Sequence, residues 1–229
     1  MKPAILLLHG ALGSRDQLIG LQDALEQDFD VHRINFRGHG GRTLPEHYRL
    51  DDFIEDILFY IQAEKLQKVY LFGFSMGGFV GLAFMKKYPD KILGLITLGT
   101  KWHWDAEVAA KEAKMLDPLK IKEKVPAYAD YLAKLHRPNS WEEVLWRTKH
   151  FMTQLGNQKQ FHVQGLNTLN HPVYIFRGDL DQMVSDEEGQ YICSQLSNGH
   201  YEALPNIAHP IEKLDVNFLA ELIKDQFIA

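Results

Sequence analysis

One serine stands between two glycines at a position where chemistry could occur. Residues 73–77 read Gly-Phe-Ser-Met-Gly and come at the end of an apolar run that is predicted to be a strand. This G-x-S-x-G pattern favours a sharp turn from strand to helix, in which the glycines permit close packing and Ser75 projects its hydroxyl from the tip. A serine hydroxyl is a poor nucleophile at neutral pH, so it needs a base that a third group holds in place. Ser75 is therefore the predicted nucleophile, and its partners should be a histidine and a carboxylate.

The position of each histidine relative to the strands selects the base. The loops at the carboxyl ends of parallel strands emerge on one side of a sheet, so a partner of Ser75 should follow a strand. His171 and His200 come just before apolar runs and are therefore on the wrong side. His209 follows the last run, residues 200–204, and is the predicted general base. The remaining candidates are predicted to pack or to lie at the surface: His9, His39, His103, His136, His150 and His162.

Two aspartates compete for the third role. The loop that follows the fifth apolar run, residues 177–184, reads Arg-Gly-Asp-Leu-Asp-Gln-Met-Val. Both Asp179 and Asp181 are on the correct side of the sheet. One would orient His209 and stabilise its imidazolium, and the other would form a turn by hydrogen bonding to its own loop. Position within the loop does not choose between them.

The elements that must position these residues alternate along the chain. Short apolar runs rich in β-branched residues alternate with helix-length amphipathic segments, which is typical of an α/β protein with a parallel sheet covered on both faces. The predicted strands are residues 4–8, 29–35, 68–74, 92–98, 172–177 and 200–204. A sheet of about six strands is therefore expected.

One long segment breaks this alternation. Residues 101–170 contain no strand-like run and are too long for a simple connection. They are predicted to be a helical cap over one edge of the sheet, with a core domain formed by residues 1–100 and 171–229. The breaks between its helices are predicted at Pro118, Pro126, Pro138 and Gly156.

The aromatic residues of the cap have two predicted roles. Trp102 and Trp104 either line a substrate pocket or anchor the cap as a hydrophobic hinge. The predicted core of the cap itself contains Trp141, Leu145, Trp146 and Phe151.

Composition excludes several classes of protein. The chain has 229 residues, of which 45% are apolar and 24% charged, which is the balance of a globular domain. Its 25 basic and 30 acidic residues include no basic run, so nucleic acid is not an expected partner. The lone cysteine, Cys193, permits neither an internal disulfide nor a cysteine metal framework, which favours a reducing, cytoplasmic location. The apolar run 4–8 is too short for a signal peptide and no other run approaches the length that spans a bilayer, so no membrane partner is expected.

The order Ser75, Asp, His209, together with the glycine-flanked serine, resembles the α/β-hydrolase superfamily, in particular serine carboxylesterases with a helical cap. The segments His9-Gly10-Ala11-Leu12 and Asn35-Phe36-Arg37-Gly38-His39-Gly40 are similar to its oxyanion loop and its D-x-R-G-x-G loop, with Asn35 in place of the usual aspartate. The family signature G-x-x-D-x-x-V matches Gly178, Asp181 and Val184, so the resemblance favours Asp181. Two antiparallel strands that usually precede the oxyanion loop are missing, which agrees with a shortened sheet.

The resemblance implies a mechanism and its residues. Ser75, His209 and Asp181 would form a catalytic triad, and the backbone N–H groups of Ala11 and Met76 would form the oxyanion hole. Leu12, the alternative to Ala11 as donor, would contact the substrate. The implied activity is hydrolysis of a small carboxylic ester through an acyl-serine intermediate by a monomer or homodimer, without cofactor or metal.

Two other functions remain open. The chain also resembles hydrolases that cleave carbon–carbon bonds and a lyase of the menaquinone pathway. That lyase has an arginine four residues after the serine, where this chain has Phe79. A sensor that binds a small molecule on a hydrolase scaffold is the alternative from another class, and the complete Ser, Asp and His set argues against it.

Overall fold

The six predicted strands lie in one parallel sheet. A computed structural model describes residues 2–157 and 164–228. The strands are β1 (Ala4–Leu8), β2 (Asp30–Ile34), β3 (Val69–Phe74), β4 (Ile92–Leu98), β5 (Val173–Gly178) and β6 (Gly199–Leu204), in the spatial order β2-β1-β3-β4-β5-β6. Every adjacent pair is parallel. Each strand begins and ends within one residue of its predicted bounds, because each apolar run is flanked by polar, proline or glycine residues that favour turns.

Helices cover both faces of the sheet. On one face lie α2 (Leu50–Ala63), α3 (Met76–Lys87) and α8 (Asp186–Ser194), and on the other lie α1 (Ile19–Leu25) and α9 (Val216–Phe227). Leu6 and Leu8 of β1 belong to the first apolar core, whereas Ile5 and Leu7 belong to the second. Successive side chains of a strand point to opposite faces, so a central strand covered on both sides must be apolar throughout.

Within the described residues, four α-helices lie between β4 and β5, where the helical cap is predicted. They are α4 (Ala106–Met115), α5 (Pro118–Lys124), α6 (Pro126–Leu135) and α7 (Trp141–Asn157). Pro118 and Pro126 occupy the first positions of α5 and α6, where a missing N–H costs no helical hydrogen bond. Asp105 and Asp117 precede α4 and α5, and their side chains accept hydrogen bonds from N–H groups of the first turn. The prolines therefore mark helix starts, as well as the ends of the helices before them.

Gly156 does not break a helix, contrary to the prediction. Helix α7 runs through it to Asn157. A Cβ at position 156 would overlap the carbonyl oxygen of Asp105 and the side chain of Ala109. The glycine therefore serves close packing of α7 against the start of α4 and not a turn.

The apolar residues of α7 divide between two cores. Trp141 and Leu145 pack with Leu132 in a cluster that belongs to the cap, as predicted. Trp146 is 47% exposed and lies under the Lys149 ammonium, so its prediction as a core residue was wrong. Phe151 packs edge-on against Phe53 in the main core and not within the cap. Its position one and a half turns beyond Trp146 places it on the helix face that meets the sheet domain.

Candidate active site

Ser75 forms the whole connection between a strand and a helix. Strand β3 ends at Phe74 and α3 begins at Met76, and Ser75 adopts φ 51° and ψ −116°. A Cβ at Gly77 would overlap the carbonyl oxygen of Leu8, which explains why the residue two positions after the serine is glycine. The Ser75 N–H donates to the Leu98 carbonyl at 2.9 Å, and the Thr100 hydroxyl donates to the Ser75 carbonyl at 3.0 Å. The end of strand β4 and the residues after it thus hold a backbone conformation that costs about 1–3 kcal/mol.

Asp181 and His209 are joined by a short hydrogen bond. The Nδ1 atom of His209 lies 2.7 Å from Oδ2 of Asp181, whose side chain is almost fully buried. The other oxygen, Oδ1, accepts the N–H groups of Met183 at 2.8 Å and Val184 at 3.2 Å. Burial raises the pKa of Asp181, but the hydrogen bonds from His209 and these two amides outweigh it and hold the pKa below its ordinary value. The carboxylate is therefore held ionised and aimed at the imidazole.

Asp179 has a different partner. Its Oδ1 accepts the N–H of Ile207 at 3.3 Å, and Leu180 N–H donates to the Ile207 carbonyl at 3.0 Å. These contacts attach the loop after β5 to the loop after β6, two residues before His209. Of the two aspartates that the sequence leaves open, Asp181 contacts His209 and Asp179 positions the loop that carries it.

Ser75 and His209 face one small cavity. Its volume is about 60 Å³, and Ala11 and Met76 also line it. The His209 ring packs on Phe74, with 5.3 Å between ring centroids. The remaining wall residues are Phe79, Lys101, Trp104, Glu112, Thr148, Phe151, Met152, Leu155, Met183 and Val184. The cavity is therefore enclosed by the strand ends below and by α4 and α7 above.

A glycine after β4 admits the histidine and the aspartate. Gly99 has φ 61°, and a Cβ there would lie 3.3 Å from Nδ1 of His209 and 3.4 Å from Oδ2 of Asp181. A side chain at this position would be strained and would press on the hydrogen-bonded pair. Gly99 is not among the residues predicted from the sequence, although a glycine directly after an apolar run is a signal for such a close approach.

Two residues predicted to contact the substrate lie elsewhere. Leu12 packs in the cap core with Ile121 and Leu132, since the positive φ of 59° at this residue turns the chain beneath the cap. Trp102 lines a second and larger cavity of about 610 Å³, which shares Lys101, Met183 and Val184 with the first. Its backbone N–H donates to Oε2 of Glu188 at 3.0 Å, and its ring centroid lies 6.3 Å from that of Phe79. Trp104 does line the cavity, as predicted.

Glu112 and Lys101 are wall residues that the sequence analysis missed. Glu112 lies on the buried face of α4 between Ala109 and Ala113, at the i, i+3 and i+4 spacing that places residues on one face of a helix. A charged residue on a helix face that otherwise consists of small apolar residues was the sequence signal for a functional position. Phe151 was predicted as a cap core residue, and its role in the cavity wall was also missed.

Three buried histidines lie in or around the loop that follows β1, residues 9–12. His9 Nδ1 lies 2.7 Å from the Gly10 carbonyl, and its Nε2 accepts the Phe36 N–H at 3.1 Å. His136 of the cap contacts the Leu12 carbonyl through Nε2 at 3.1 Å and accepts the Gly40 N–H through Nδ1. Burial lowers the pKa of His9 to about 4, and it also lowers the pKa values of His39 and His136. These side chains are neutral packing groups, as predicted for His9, His39 and His136.

The other histidines predicted to pack or to lie at the surface are not among the lining residues of the cavity that Ser75 faces or lie outside the described residues. His103 is half exposed and contacts Asp105 at 3.0 Å, and His150 is exposed. His162 lies outside the described residues.

Metal ligands and membrane spans were sought in residues 2–157 and 164–228. No group of three or more histidine, cysteine or acidic side chains there is arranged to hold a metal ion. None of the helices in those ranges is long and apolar enough to cross a bilayer.

Two proteins of known name are similar to this chain in sequence. Monoacylglycerol lipase ABHD6 of Bos taurus is 24% identical over an alignment of 261 positions, which covers 96% of this chain and 76% of that protein. A putative 2-succinyl-6-hydroxy-2,4-cyclohexadiene-1-carboxylate synthase of Bacillus subtilis is 31% identical over 100 residues, 42% of this chain and 36% of that protein.

Solved structures match nearly the whole chain. A thermophilic esterase from Thermogutta terrifontis has a TM-score of 0.79 at 19% identity and covers 99% of this chain and 89% of its own. A 2-hydroxy-6-oxo-6-phenylhexa-2,4-dienoate hydrolase from a Rhodococcus strain has a TM-score of 0.78 at 20% identity and covers 100% of this chain and 91% of its own. A family model described as alpha/beta hydrolase fold matches residues 3–123, more than half of the chain. The chain, whose described residues form a sheet of six parallel strands, therefore belongs to the α/β-hydrolase fold family.

Proposed function

We propose that this hydrolase cleaves small carboxylic esters through an acyl-serine intermediate. The observation that supports this proposal most directly is the 2.7 Å contact between His209 Nδ1 and Asp181 Oδ2, beside a cavity that Ser75 also faces. The serine hydroxyl at a strained turn is the nucleophile, and an imidazole held by a buried carboxylate is the base that activates it.

Acylation follows from the tautomer that Asp181 favours. An ionised Asp181 accepts the Nδ1–H of His209, which leaves Nε2 as the proton acceptor. As the Ser75 oxygen attacks the ester carbonyl, Nε2 takes the hydroxyl proton and the carbonyl oxygen becomes an oxyanion. The tetrahedral intermediate then collapses, the bond to the leaving oxygen breaks, and His209 returns the proton to the departing alcohol.

The oxyanion is assigned to two backbone donors. Met76 is the first residue of α3, and the N–H groups of a first helical turn have no partner within the helix. The helix dipole also favours negative charge at this end. Ala11 is the second donor because it lines the cavity with Ser75 and Met76, whereas Leu12 packs under the cap. One such donor is worth about 100- to 1,000-fold in rate.

Water completes the cycle. His209 removes a proton from a water molecule that attacks the acyl carbonyl, a second tetrahedral intermediate forms, and its collapse releases the acid and restores the Ser75 hydroxyl. No cofactor enters either half of this reaction.

The size and walls of the cavity favour a small, largely apolar group. About 60 Å³ is well below the roughly 300–1,000 Å³ of pockets for drug-sized ligands. Phe79, Trp104, Phe151 and Leu155 contribute apolar surface. A short acyl or alkoxy group fits this space better than a long chain.

Cleavage of a carbon–carbon bond is the second candidate. Its support is the similarity of this chain to two proteins, the Rhodococcus dienoate hydrolase and the putative Bacillus subtilis synthase. The buried ring of Phe79 lines the cavity where the lyase has an arginine, which argues against a substrate carboxylate held at that position.

A substrate screen tests the proposal. We expect turnover of p-nitrophenyl acetate and butyrate that exceeds turnover of vinylogous diketones by at least about tenfold. A fluorophosphonate probe should label Ser75 in the folded protein and leave Ser75→Ala unlabelled. Preferred cleavage of the diketones would favour the second candidate, and a folded protein that neither labels nor turns over any ester would favour a sensor.

A further inference from the structure

Three charged side chains meet beside the catalytic cavity. Lys101 follows β4, Glu112 lies on α4 and Glu188 lies on α8. The Lys101 Nζ atom is 3.6 Å from Oε1 of Glu112 and 4.0 Å from Oε1 of Glu188. Glu112 is 5% exposed, and both Lys101 and Glu112 line the cavity that contains Ser75. The cavity therefore has a charged corner in a wall that is otherwise mostly apolar.

Glu188 has a structural role in this group. Its Oε2 accepts the N–H groups of Trp102 at 3.0 Å and His103 at 2.8 Å. Its Oε1 accepts the N–H of Ser185 at 2.8 Å. Both oxygens are thus occupied by backbone donors that connect the start of the cap to α8. Glu188 does not line the cavity with Ser75, so it is not available to a substrate there.

Glu112 differs because one of its oxygens is unused. Oε1 faces Lys101, whereas Oε2 is buried and has no hydrogen-bond partner within the described residues. A buried carboxylate oxygen without a hydrogen-bond donor destabilises a protein. A donor from a bound molecule would remove this cost at Oε2. The nearby Thr148 hydroxyl does not supply one, since it donates to the Val144 carbonyl of its own helix.

We propose that Glu112 and Lys101 form a polar subsite that binds a hydroxyl group of the substrate. This inference rests on the proposed ester hydrolysis and narrows its substrates to hydroxylated esters. A hydroxyl can donate to Oε2 of Glu112 and accept from the Lys101 ammonium, so both wall groups gain a partner.

Other substituents fit this corner less well. A second ammonium would be repelled by Lys101, which already lies 3.6 Å from the same carboxylate. A carboxylate would be repelled by Glu112. A methyl group would leave Oε2 unpaired. A neutral group that is both donor and acceptor is the one that satisfies both residues.

Matched esters test the subsite. The probes are monoacetates of ethane-, propane- and butanediol, each compared with the alkyl acetate that has a methyl in place of the hydroxyl. Methyl ω-hydroxyalkanoates and methyl alkanoates place the same change on the acyl side. Hydrolysis of every probe releases a carboxylic acid, so the base needed to hold the pH constant measures the rate. Cyclisation of a hydroxyalkanoate to a lactone releases no acid and is therefore not counted as hydrolysis. The quantity of interest is the ratio of kcat/KM between the hydroxyl and methyl members of each pair.

We expect the ratio in the native enzyme to exceed 1 at one or more chain lengths. A hydroxyl that enters an apolar cavity without partners would give a ratio below 1, because it loses its hydration. Glu112→Leu should lower the ratio by about 10- to 100-fold, as a hydrogen bond to a charged group predicts. Glu107→Leu, at an exposed position of the same helix, is the matched control and should leave the ratio unchanged.

A second variant covers the case in which Glu112→Leu does not fold. The double replacement Lys101→Met and Glu112→Leu removes both charges of this ion pair. Neither charge is then left in the wall without the partner that it has in the native protein. The double variant should fold and show a ratio below 1. A native ratio at or below 1 for every pair, or a ratio that both variants leave unchanged, overturns the subsite. A preference for 3-(dimethylamino)propyl acetate over the hydroxyl probe overturns it as well.

The two levels of the proposal fail in different ways. Native enzyme that hydrolyses none of the esters contradicts the proposed function and the subsite with it. Native enzyme that hydrolyses alkyl acetates without a preference for hydroxyl contradicts the subsite alone.

Discussion

The imidazole of His209 and the carboxylate of Asp181 are 2.7 Å apart although 28 residues separate them in the chain. Adjacent parallel strands β5 and β6 bring them together, since each residue follows the carboxyl end of its strand. The contact between Asp179 and Ile207 holds the two loops in register. The geometry of the pair therefore depends on the sheet order and on hydrogen bonds that connect and order the two loops.

Replacement of Ser75 by alanine should abolish hydrolysis. Without the Oγ nucleophile we expect kcat on p-nitrophenyl acetate to fall by at least about 10⁴-fold, as in other enzymes whose triad serine is removed. The measurement is steady-state hydrolysis corrected for the buffer rate. Turnover within tenfold of the native enzyme would rule out Ser75 as nucleophile.

Replacement of Ser75 by glycine should make the protein more stable while it abolishes activity. The positive φ of 51° strains a serine and does not strain a glycine, so we expect a gain of about 1 kcal/mol in the free energy of unfolding. Urea denaturation of the glycine variant beside Ser75→Ala measures this gain. A glycine variant less stable than the alanine variant would show that the turn is not strained.

The two aspartates should respond differently to the same substitution. Asp181→Asn replaces the acceptor of His209 Nδ1–H and favours the wrong tautomer, so kcat should fall by about 10⁴-fold. Asp179→Asn keeps an oxygen that can accept the Ile207 N–H, so its effect should be less than about tenfold. Parallel kinetics on one short ester compare the two, and an equal loss in both variants would contradict the division of roles.

The free energy of unfolding should decrease as the pH falls below about 6.5. Burial lowers the pKa values of His9, His39 and His136 in the folded protein, whereas the unfolded chain protonates near the ordinary value of 6.5. The unfolded state thus binds more protons, and each such histidine costs about 1.4 kcal/mol per pH unit within its window. For His9 the window ends at about pH 4, where the folded protein is protonated as well.

Denaturant titrations between pH 7.5 and pH 4.5 check this dependence. His39→Phe removes a titrating group while its ring can still stack on Tyr48, so its stability should depend less steeply on pH. Replacement of the exposed His150 is the control and should not change the slope. A native protein equally stable at both pH values would contradict neutral buried histidines.

Trp104 and Leu12 should separate catalysis from stability. Trp104 lines the cavity, so Trp104→Ala should change kcat/KM and the preference among acyl chain lengths. Leu12 packs in the cap core, so Leu12→Ala should cost about 2–5 kcal/mol of stability and alter chain-length preference less. Unfolding curves and a chain-length series on both variants measure the two effects. A larger change of chain-length preference in Leu12→Ala would place Leu12 at the substrate.

The sequence by itself determined the order of elements and the place of Ser75 in a one-residue turn between a strand and a helix. Strand periodicity and turn residues act locally, so six strands could be bounded to within a residue. The glycines around Ser75 are a local requirement of a one-residue turn, and the side of the sheet on which His209 emerges follows from parallel topology. Local rules failed at Gly156, where a contact with distant Asp105 and not a turn requires glycine.

Tertiary structure alone decided which side chains meet. Asp179 and Asp181 share one loop, and only the distance to His209 separates them. Leu12, Trp102 and Glu112 lie in or beside segments whose side-chain directions depend on how the cap packs over the strand ends. The wall of the cavity is built from residues far apart in the chain, and the energy that orients each of them comes from its neighbours in space and not from its neighbours in sequence.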